Sequence, residues 1–584
     1  MIHFVFSDNA PQYLFLKYDT ELEYTILHEK LKSYLNLVDP ICYLPTYKGS
    51  IYTNDFLFEY RQPTGTIIFY ASIGLWHTIW KWFNNQGIEY DGLDPKWFKR
   101  NIPHSFDEFK TIVDSWGLTR TPRPYQYETA YKILTWKRSV SQLATRAGKT
   151  LIAYMVFRYC WEYLKAKKIL MIVPSIELVK QGYSDFSEYA EFFKTECLWG
   201  GGKIVESSNL TIATFQTLVS FLDRKSKKYN PSFFNDYDIV FVDETHRATA
   251  ASIKNIITQP FMKNVKIAFG MTGTLPQEDT SDRFCVHALL GAKIVEISPK
   301  WLMDNGYISK IKITQHNIEY SNKEKQLDTW IKCAEYCLSS FDEEPDPKHP
   351  DKMKRIKLAN PEFLIAYRKT FPAQLVQARE KIYTQSGKSD IDKKLEYRKL
   401  LQAVIKCDTG ANLHHIEQMM VHFFPERVKY LCSILDKCPR NTLVLAQHVE
   451  YIKYVADEVR KAFPDRHVLC VYGGSKERNI IKDTLAKYDN CIIIGNYAIM
   501  STGITLPGLC HGVLFESFKS NVVNTQSIGR GLALVADKEH YELHDITDCF
   551  DAKYASNKIF LQGRERRKQF DANQYDYKII RKEI

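Results

Sequence analysis

Two short stretches of this chain carry residue types that do phosphate chemistry. The first is residues 139–156, SVSQLATRAGKTLIAYMV. Apolar alternate positions, Val140 and Leu143 among them, lead into a loop of small residues. That loop ends in Ala147, Gly148, Lys149 and Thr150 and opens into an apolar, helix-like segment. A strand, a loop and a helix N-terminus in this order turn backbone N–H groups and the positive end of the helix dipole toward a triphosphate. A lysine at position 149 reaches β- and γ-phosphates, and a hydroxyl at Thr150 holds Mg²⁺. Leu143 stands where a full phosphate loop has glycine, so an ordinary β-turn-helix with a surface lysine fits this stretch alone. The second stretch, YDIVFVDE at 237–244, is a continuous apolar run ending in two carboxylates. Paired acids at a strand end suit metal-assisted hydrolysis of a phosphoanhydride: Asp243 to position Mg²⁺, Glu244 to polarise the attacking water.

The elements that must position these residues follow the same alternation. Apolar runs at 168–174 (KILMIVP), 210–215 (LTIATF), 237–244 and 265–273 (VKIAFGMTG) read as strands, with helical patterns at 175–193 and from Gln216. Near-continuous apolar strands separated by helices imply a parallel sheet covered on both faces. Ligands of such sheets bind at the carboxyl ends of the strands. Lys149, Asp243 and Thr272 all fall there. Upstream, Arg123-Pro124-Tyr125-Gln126 precedes a helical run, and the Gln126 amide carries the donor and acceptor that an adenine edge needs.

Composition bounds the class. The chain has 584 residues, 45% of them hydrophobic and 25% charged, which fits several globular domains and excludes wholesale disorder. No run reaches the roughly 18 apolar residues of a membrane span, and the N-terminus lacks a basic segment followed by an apolar one. The 13 cysteines are scattered, with no Cys-x-x-Cys pair, so the reading is a cytosolic protein with free thiols. Net charge is +11, with a basic excess at 351–410 (14 Lys/Arg against 7 Asp/Glu) and 551–584 (9 against 5). That excess fits a polyanion partner or a solvated helical surface equally.

With Asp243-Glu244-Thr245-His246 in place, the chain resembles the DExH-type helicases and translocases of superfamily 2. Residues 123–126 resemble the Q-motif, and 144–150 resemble motif I. Pro174, with Leu178 and Gln181, resembles motif Ia, and 211–214, ending in Thr214, resemble motif Ic. Thr272-Gly273-Thr274 resembles motif III, Ser501-Thr502-Gly503-Ile504 motif V, and residues 526–532 (QSIGRGL) motif VI. The resemblance implies that Pro174, Gln181, Thr214, Thr272, Thr274 and Thr502 contact nucleic acid or couple hydrolysis to its movement. It implies that Gly503 lies at the nucleotide, that Gln526 sits near the hydrolytic water, and that Arg530 reaches the γ-phosphate as an arginine finger. The finer likeness is to the phage UvsW branch, on the Thr-Gly-Thr, Ser-Thr-Gly-Ile and Gln-Ser-Ile-Gly-Arg-Gly stretches and on Asp545-Ile546-Thr547-Asp548. It implies ATP and Mg²⁺ as cofactors and branched or duplex DNA as a sequence-independent partner. An RNA substrate or a non-unwinding duplex motor are the alternatives. It further implies phage recombination or replication proteins as candidate partners, a monomer, and the cytoplasm, that of the host if the chain is phage-encoded. Three positions depart from the pattern. Arg146 replaces Gly or Ser of motif I, Thr505 replaces an acid or amide of motif V, and Ala533 replaces a second arginine of motif VI.

The expected fold class is therefore α/β, with two RecA-like parallel-sheet lobes, an N-terminal α+β accessory domain and a helical insertion between the lobes in sequence. The expected bounds are 1–115 for the accessory domain, 116–310 for the ATP-binding lobe and 311–425 for a largely helical basic insertion. The second lobe is expected at 426–551 and a basic tail at 552–584. The basic part of the insertion, 352–406, is a candidate duplex-contacting element or a packing arm. Trp76, Ile79, Trp80 and Phe83 share one helical face and read as core.

Overall fold

A computed structural model of the chain describes residues 1–7, 12–38, 53–94, 97–190, 192–198, 208–246, 256, 264–338, 343–346, 349–355, 373–407, 413–475, 477–497, 506, 508–517, 521–535, 538–551, 553 and 557–584. It divides into two compact units, Met1–Ser298 and Pro299–Ile584.

The first unit opens with a mixed sheet. Its strands β1 (Ile2–Val5), β2 (Tyr13–Lys17), β3 (Leu57–Arg61), β4 (Ile67–Ser72) and β5 (Tyr90–Asp91) lie in the order β3-β4-β2-β1-β5. Helix α1 (Trp76–Gln86) buries Trp76, Ile79, Trp82 and Phe83 and leaves Trp80 half-buried, so the aromatic stripe is core. The Trp76 ring stacks on Phe98 at 4.1 Å. Helix α2 (Phe106–Asp114), counted with the accessory domain on sequence, packs Phe109 against Tyr131 and Tyr159 of the adjoining helices.

The second sheet of this unit is fully parallel. After α3 (Pro124–Thr135) come β6 (Arg138–Leu143), α4 (Lys149–Tyr163), β7 (Ile169–Val173), α5 (Ile176–Tyr189), β8 (Thr195–Leu198), β9 (Leu210–Thr214), α6 (Phe215–Leu222), β10 (Ile239–Asp243), β11 (Ile267–Thr272), α7 (Ser281–Leu290) and β12 (Lys293–Ile297). Strand order is β8-β9-β7-β10-β11-β6-β12. β7 and β9 are buried along their whole length, as expected for strands covered on both faces. β8 and β12 are edge strands with partly exposed residues. Their sequences, TECL and KIVEI, lack the continuous apolar signal by which the inner strands are read.

The second unit holds a further parallel sheet. Its strands are β13 (Lys310–Glu319), β14 (Thr442–Ala446), β15 (Val468–Val471), β16 (Ile492–Asn496), β17 (His511–Leu514), β18 (His540–Cys549) and β19 (Asp576–Glu583), in the order β15-β16-β14-β17-β18-β13-β19. Two sequence-based bounds are corrected here. Residues from 311 were assigned to a helical insertion, yet β13 pairs in parallel with β18 over ten residues. Its buried face is polar after Ile313: Gln315, His316 and Asn317 are buried, so the apolar alternation that marks a strand fades midway. Residues 552–584 were assigned to a basic tail, yet helix α16 (Lys558–Ala572) packs on the sheet and β19 pairs with β13. Their charge conceals a few anchors, Ile559, Phe570, Tyr575 and a fully buried Arg566.

Between β13 and β14, the helices α8 (Lys323–Leu338), α9 (Ala373–Tyr383), α10 (Asp390–Cys407), α11 (Leu413–Met420) and α12 (Pro425–Leu435) are described, and α13 (Val449–Ala462) follows β14 and α14 (Glu477–Lys487) follows β15. α10 packs along α8. Lys394 bridges Glu324 and Asp328 at 2.9 and 2.8 Å. Arg398 is buried with its guanidinium 5.0 Å from the Trp330 ring. Along α10 the packing role holds for these two cations, while Lys399 is exposed.

Two buried arginines pin the second sheet. Arg427 of α12 donates from Nε and Nη2 to both oxygens of Asp548, at 2.7 and 2.9 Å. Arg566 donates from Nε to Asp545 at 2.9 Å, and Gln315 donates to the other Asp545 oxygen at 2.7 Å. Fully desolvated guanidinium–carboxylate pairs of this kind persist only with the remaining lone pairs satisfied. Tyr320 supplies one such bond to Asp548 at 2.6 Å.

Candidate active site

Strands β10, β11 and β6 are neighbours, and their carboxyl ends lie level: Asp243 pairs with Met271, and Thr272 with Gln142. The chain leaving β6 turns sharply, with Ala147 donating its N–H to the Ala144 carbonyl at 3.0 Å. Arg146 and Gly148 both take left-handed backbone (φ 74° and 79°). Gly148 then precedes the first residue of α4. A Cβ at Gly148 would stand 2.1 Å from Nε2 of Gln126, so glycine is required there by space as well as by φ.

Gln126 occupies that space for a structural purpose. Its Nε2 donates to the Ala147 carbonyl at 2.9 Å, and its Oε1 accepts from the Arg123 N–H at 2.8 Å. Tyr125 donates its hydroxyl to the same Ala147 carbonyl at 2.8 Å. Gln126 is 4% exposed. Each end of the Gln126 amide therefore makes one backbone hydrogen bond and braces the loop, and an adenine edge would meet the second amide proton and the second lone pair.

Lys149 closes the cluster. Its Nζ lies 2.7 Å from Glu244 Oε1 and 3.7 Å from Asp243 Oδ1. Glu244 itself sits in left-handed backbone (φ 51°), a conformation that costs a residue with a Cβ of order 1 kcal/mol. Its second oxygen is met by the Thr272 hydroxyl at 3.3 Å and lies 3.4 Å from His246 Nδ1. His246 Nδ1 is 2.9 Å from the same hydroxyl. The single Thr272 hydroxyl proton reaches either Glu244 or, at 2.8 Å, the Thr274 carbonyl, and this shared hydroxyl links the Thr-Gly-Thr turn to Glu244. Thr245 packs over β11 so closely that a Cβ at Gly270 would stand 2.0 Å from its methyl.

The electrostatics separate the two acids. Burial raises the Asp243 carboxyl above its usual range, against the pull of Lys149. Burial would raise Glu244 as well, but Lys149 and His246 hold it well below the usual carboxylate range. Burial works against the Lys149 ammonium, yet Glu244 and Asp243 keep its pKa above the ordinary value. Adjacent acids in environments that drive their pKa values apart can take different roles. Thr150, half-buried at the second position of α4, lies within reach of the Asp185 carboxyl, as does Gln181.

A second surface lies at the carboxyl ends of β7 and β9. An open cavity of about 710 Å³ is lined by Pro174, Ser175, Thr214, Thr217, Lys227 and Lys228, among others. Ser175 caps α5 and Thr214 caps α6, each accepting a backbone N–H at 3.4 Å. Two capped helix N-termini and two exposed lysines therefore border one opening. Pro174 and Thr214 are brought together there, whereas Gln181 lies with Asp185. Tyr125 and the lysine pair were missed on sequence. The pair ends a basic run at 224–228, RKSKK, that was legible as a patch.

In the second unit Gln526 and Arg530 sit four residues apart on helix α15 (Asn521–Gly531), both half-buried. Residues at this spacing share a helix face. Lys538 donates to the carbonyls of Gly531 and Ala533, at 2.7 Å each, and so closes the end of α15 beside Arg530. Thr502, Gly503 and Thr505 lie outside the described residues. Among the described residues, no helix is long and apolar enough to cross a membrane.

Two parallel seven-stranded sheets, with a glycine turn, Lys149 and an Asp-Glu pair at the carboxyl edge of the first, resemble the core of the superfamily 2 helicases. Within that class the chain resembles the ATP-dependent DNA helicase UvsW of Enterobacteria phage T4. It is 22% identical to UvsW over 493 residues, 81% of this chain and 80% of that protein. Residues 119–277 match the family model described as type III restriction enzyme, res subunit. A DNA 3'-5' translocase, XPB2 of Sulfurisphaera tokodaii, is 25% identical over 204 residues, 35% of this chain and 42% of the relative. The crystal structure of T4 UvsW aligns over 100% of this chain and 99% of its own at 19% identity, with a TM-score of 0.41.

Proposed function

We propose that the chain is an ATP-dependent superfamily 2 DNA helicase or translocase that remodels branched DNA. The observation that carries the reading is the Lys149–Glu244–Asp243 cluster, the lysine that opens α4 facing the two acids at the end of β10, where a nucleotide's phosphates would bind. The likeness to UvsW over most of the chain supports DNA junctions and forks as the substrate class.

In this reading the loop N–H groups and Lys149 take the β- and γ-phosphates. Thr150 and Asp243 are the residues that would hold Mg²⁺, which supplies charge neutralisation at the transferring phosphoryl. The left-handed turn, the missing side chain at Gly148 and the neighbouring acids fit that role. Glu244, ionised at neutral pH, orients the attacking water and takes its proton, while Thr272 and His246 fix its other oxygen. Gln526 and Arg530 are assigned the hydrolytic-water contact and the arginine-finger role. Thr502 and Gly503 keep the roles that motif V implies. The cavity bordered by Pro174, Thr214, Lys227 and Lys228 suits backbone phosphates, giving sequence-independent, salt-sensitive binding.

The test is ATP hydrolysis with no nucleic acid, single-stranded DNA, duplex DNA, a four-way junction and single-stranded RNA. Strongest stimulation by the junction supports the reading. Strongest stimulation by RNA overturns the substrate, and no turnover with any of them overturns the enzyme.

A further inference from the structure

At the carboxyl edge of the second sheet, β14 and β17 lie side by side and run out into His448 and Glu516. His422 comes from the short turn of helix Val421–Phe423 that links α11 to α12. We propose that His422, His448 and Glu516 form a binding site for a divalent transition-metal ion of zinc type.

Each residue offers one ligand atom, and the three atoms lie within 4.8 Å of one another. His422 Nε2 and His448 Nδ1 both approach the same carboxylate oxygen, Glu516 Oε1, at 2.7 and 3.1 Å. The other oxygen, Oε2, accepts the backbone N–H groups of Gln447 and His448 at 2.6 and 3.2 Å. One oxygen is thus anchored to the chain and the other is aimed between two imidazoles. The His422 ring stacks on Tyr451 with centroids 4.1 Å apart, which fixes its plane. Backbone N–H groups on the carboxylate and a ring stacked on the imidazole hold both in the fixed orientation that a metal ligand needs.

Zinc takes nitrogen and oxygen ligands at about 2.0–2.2 Å in a tetrahedron, so its ligand atoms stand about 3.3 Å apart. Reaching that spacing opens the two contacts to Glu516 Oε1 by about 0.6 and about 0.2 Å, and closes the two imidazole nitrogens, no more than 4.8 Å apart, by at most about 1.5 Å. The Glu516 and His422 side chains are 3% and 8% exposed, whereas the His448 side chain is 33% exposed. The ion can therefore enter past His448, and a fourth position stays open to water. Two neutral imidazoles and one carboxylate match the borderline-soft ions, Zn²⁺ above all, rather than Mg²⁺, which prefers oxygen ligands throughout. Binding displaces the protons that the imidazoles share with Glu516. Arg427, whose charge acts on His422, is committed to Asp548. The site joins three separate stretches of the unit, and the bound ion would staple the α11–α12 link to the sheet.

The experiment is a titration of the full-length, chelator-treated protein with Co²⁺, followed by displacement with Zn²⁺. One equivalent of four-coordinate Co²⁺, read as intense visible d–d absorption, is expected. His448→Ala, which removes a partly exposed side chain, and Glu516→Gln should each weaken it more than about 100-fold, beyond the range for losing a mere supporting residue. Zn²⁺ should raise the Tm of the parent chain but not of His448→Ala. Asp243→Asn, which removes a residue that would hold the nucleotide's metal, should bind Co²⁺ as the parent does, which separates the two sites. Absence of saturable absorption, a thiolate charge-transfer band from cysteine ligation, or unchanged affinity in His448→Ala overturns the proposal.

Discussion

Lys149, Glu244 and Gly148 each make a separate demand on the nucleotide site. Lys149→Ala removes the cation that both neighbouring acids face. It should reduce ATP hydrolysis to background while DNA binding stays within a few-fold, because the phosphate-facing cavity lies at other strand ends. Retained hydrolysis in a steady-state assay would remove Lys149 from the site. Glu244→Gln keeps the shape and loses the base. It should lower kcat by about 10²–10⁴ while ATP still binds, as single-turnover kinetics would show. Gly148→Ala meets two obstacles, a left-handed φ and the Gln126 amide 2.1 Å from the new methyl. Pairing it with Gln126→Ala relieves only the second, so nucleotide affinity should recover in part. Lys149, Asp243 and Glu244 were legible in the sequence because their chemistry coincides with a strand end. The bracing role of Gln126 and Tyr125 was not, since nothing in local spacing says which carbonyl a buried amide will meet.

Among the elements, inner strands declared themselves through unbroken apolar runs, and β13 did not because its buried middle is polar. That middle carries a pH dependence. His316 of β13 and His544 of β18 share a 2.9 Å hydrogen bond across the pairing. Burial, with each other's or a neighbour's charge, lowers His316 to about 3 and His544 to about 4. Both are therefore neutral when folded, while the unfolded chain protonates them near pH 6.5. Between about pH 6.5 and pH 4 the unfolded state binds more protons, so stability falls with pH by up to about 1.4 kcal/mol per unit for each histidine. Thermal melts of the second unit from pH 7.5 to 4.5 should show this slope, and His316→Gln/His544→Gln should flatten it. An unchanged slope would mean that other groups carry the acid sensitivity.

For the molecule as a whole, net charge of +11 tempts one to read every basic segment as a polyanion contact. The C-terminal residues argue otherwise. β19, DYKIIRKE, is exposed along nearly its whole length and lies at the edge of the second sheet. Charged residues on an edge strand prevent further strands from adding. Just before it, Arg566 is the buried partner of Asp545. Ending the chain after Asn557 would uncover the edge of β13 over the eight residues that β19 pairs and strand the Asp545 carboxylate in the core. Stranding one member of a buried ion pair costs about 3–5 kcal/mol, against about 5–15 kcal/mol of stability in an ordinary domain. The truncated chain should therefore lose the cooperative melt of its second unit and aggregate, while the melt of the first unit persists. Arg566→Met alone should reproduce most of the destabilisation, and Arg566→Met/Asp545→Asn should recover part of it. A truncated chain that melts like the parent would return these residues to the status of a tail and leave their charge available for DNA.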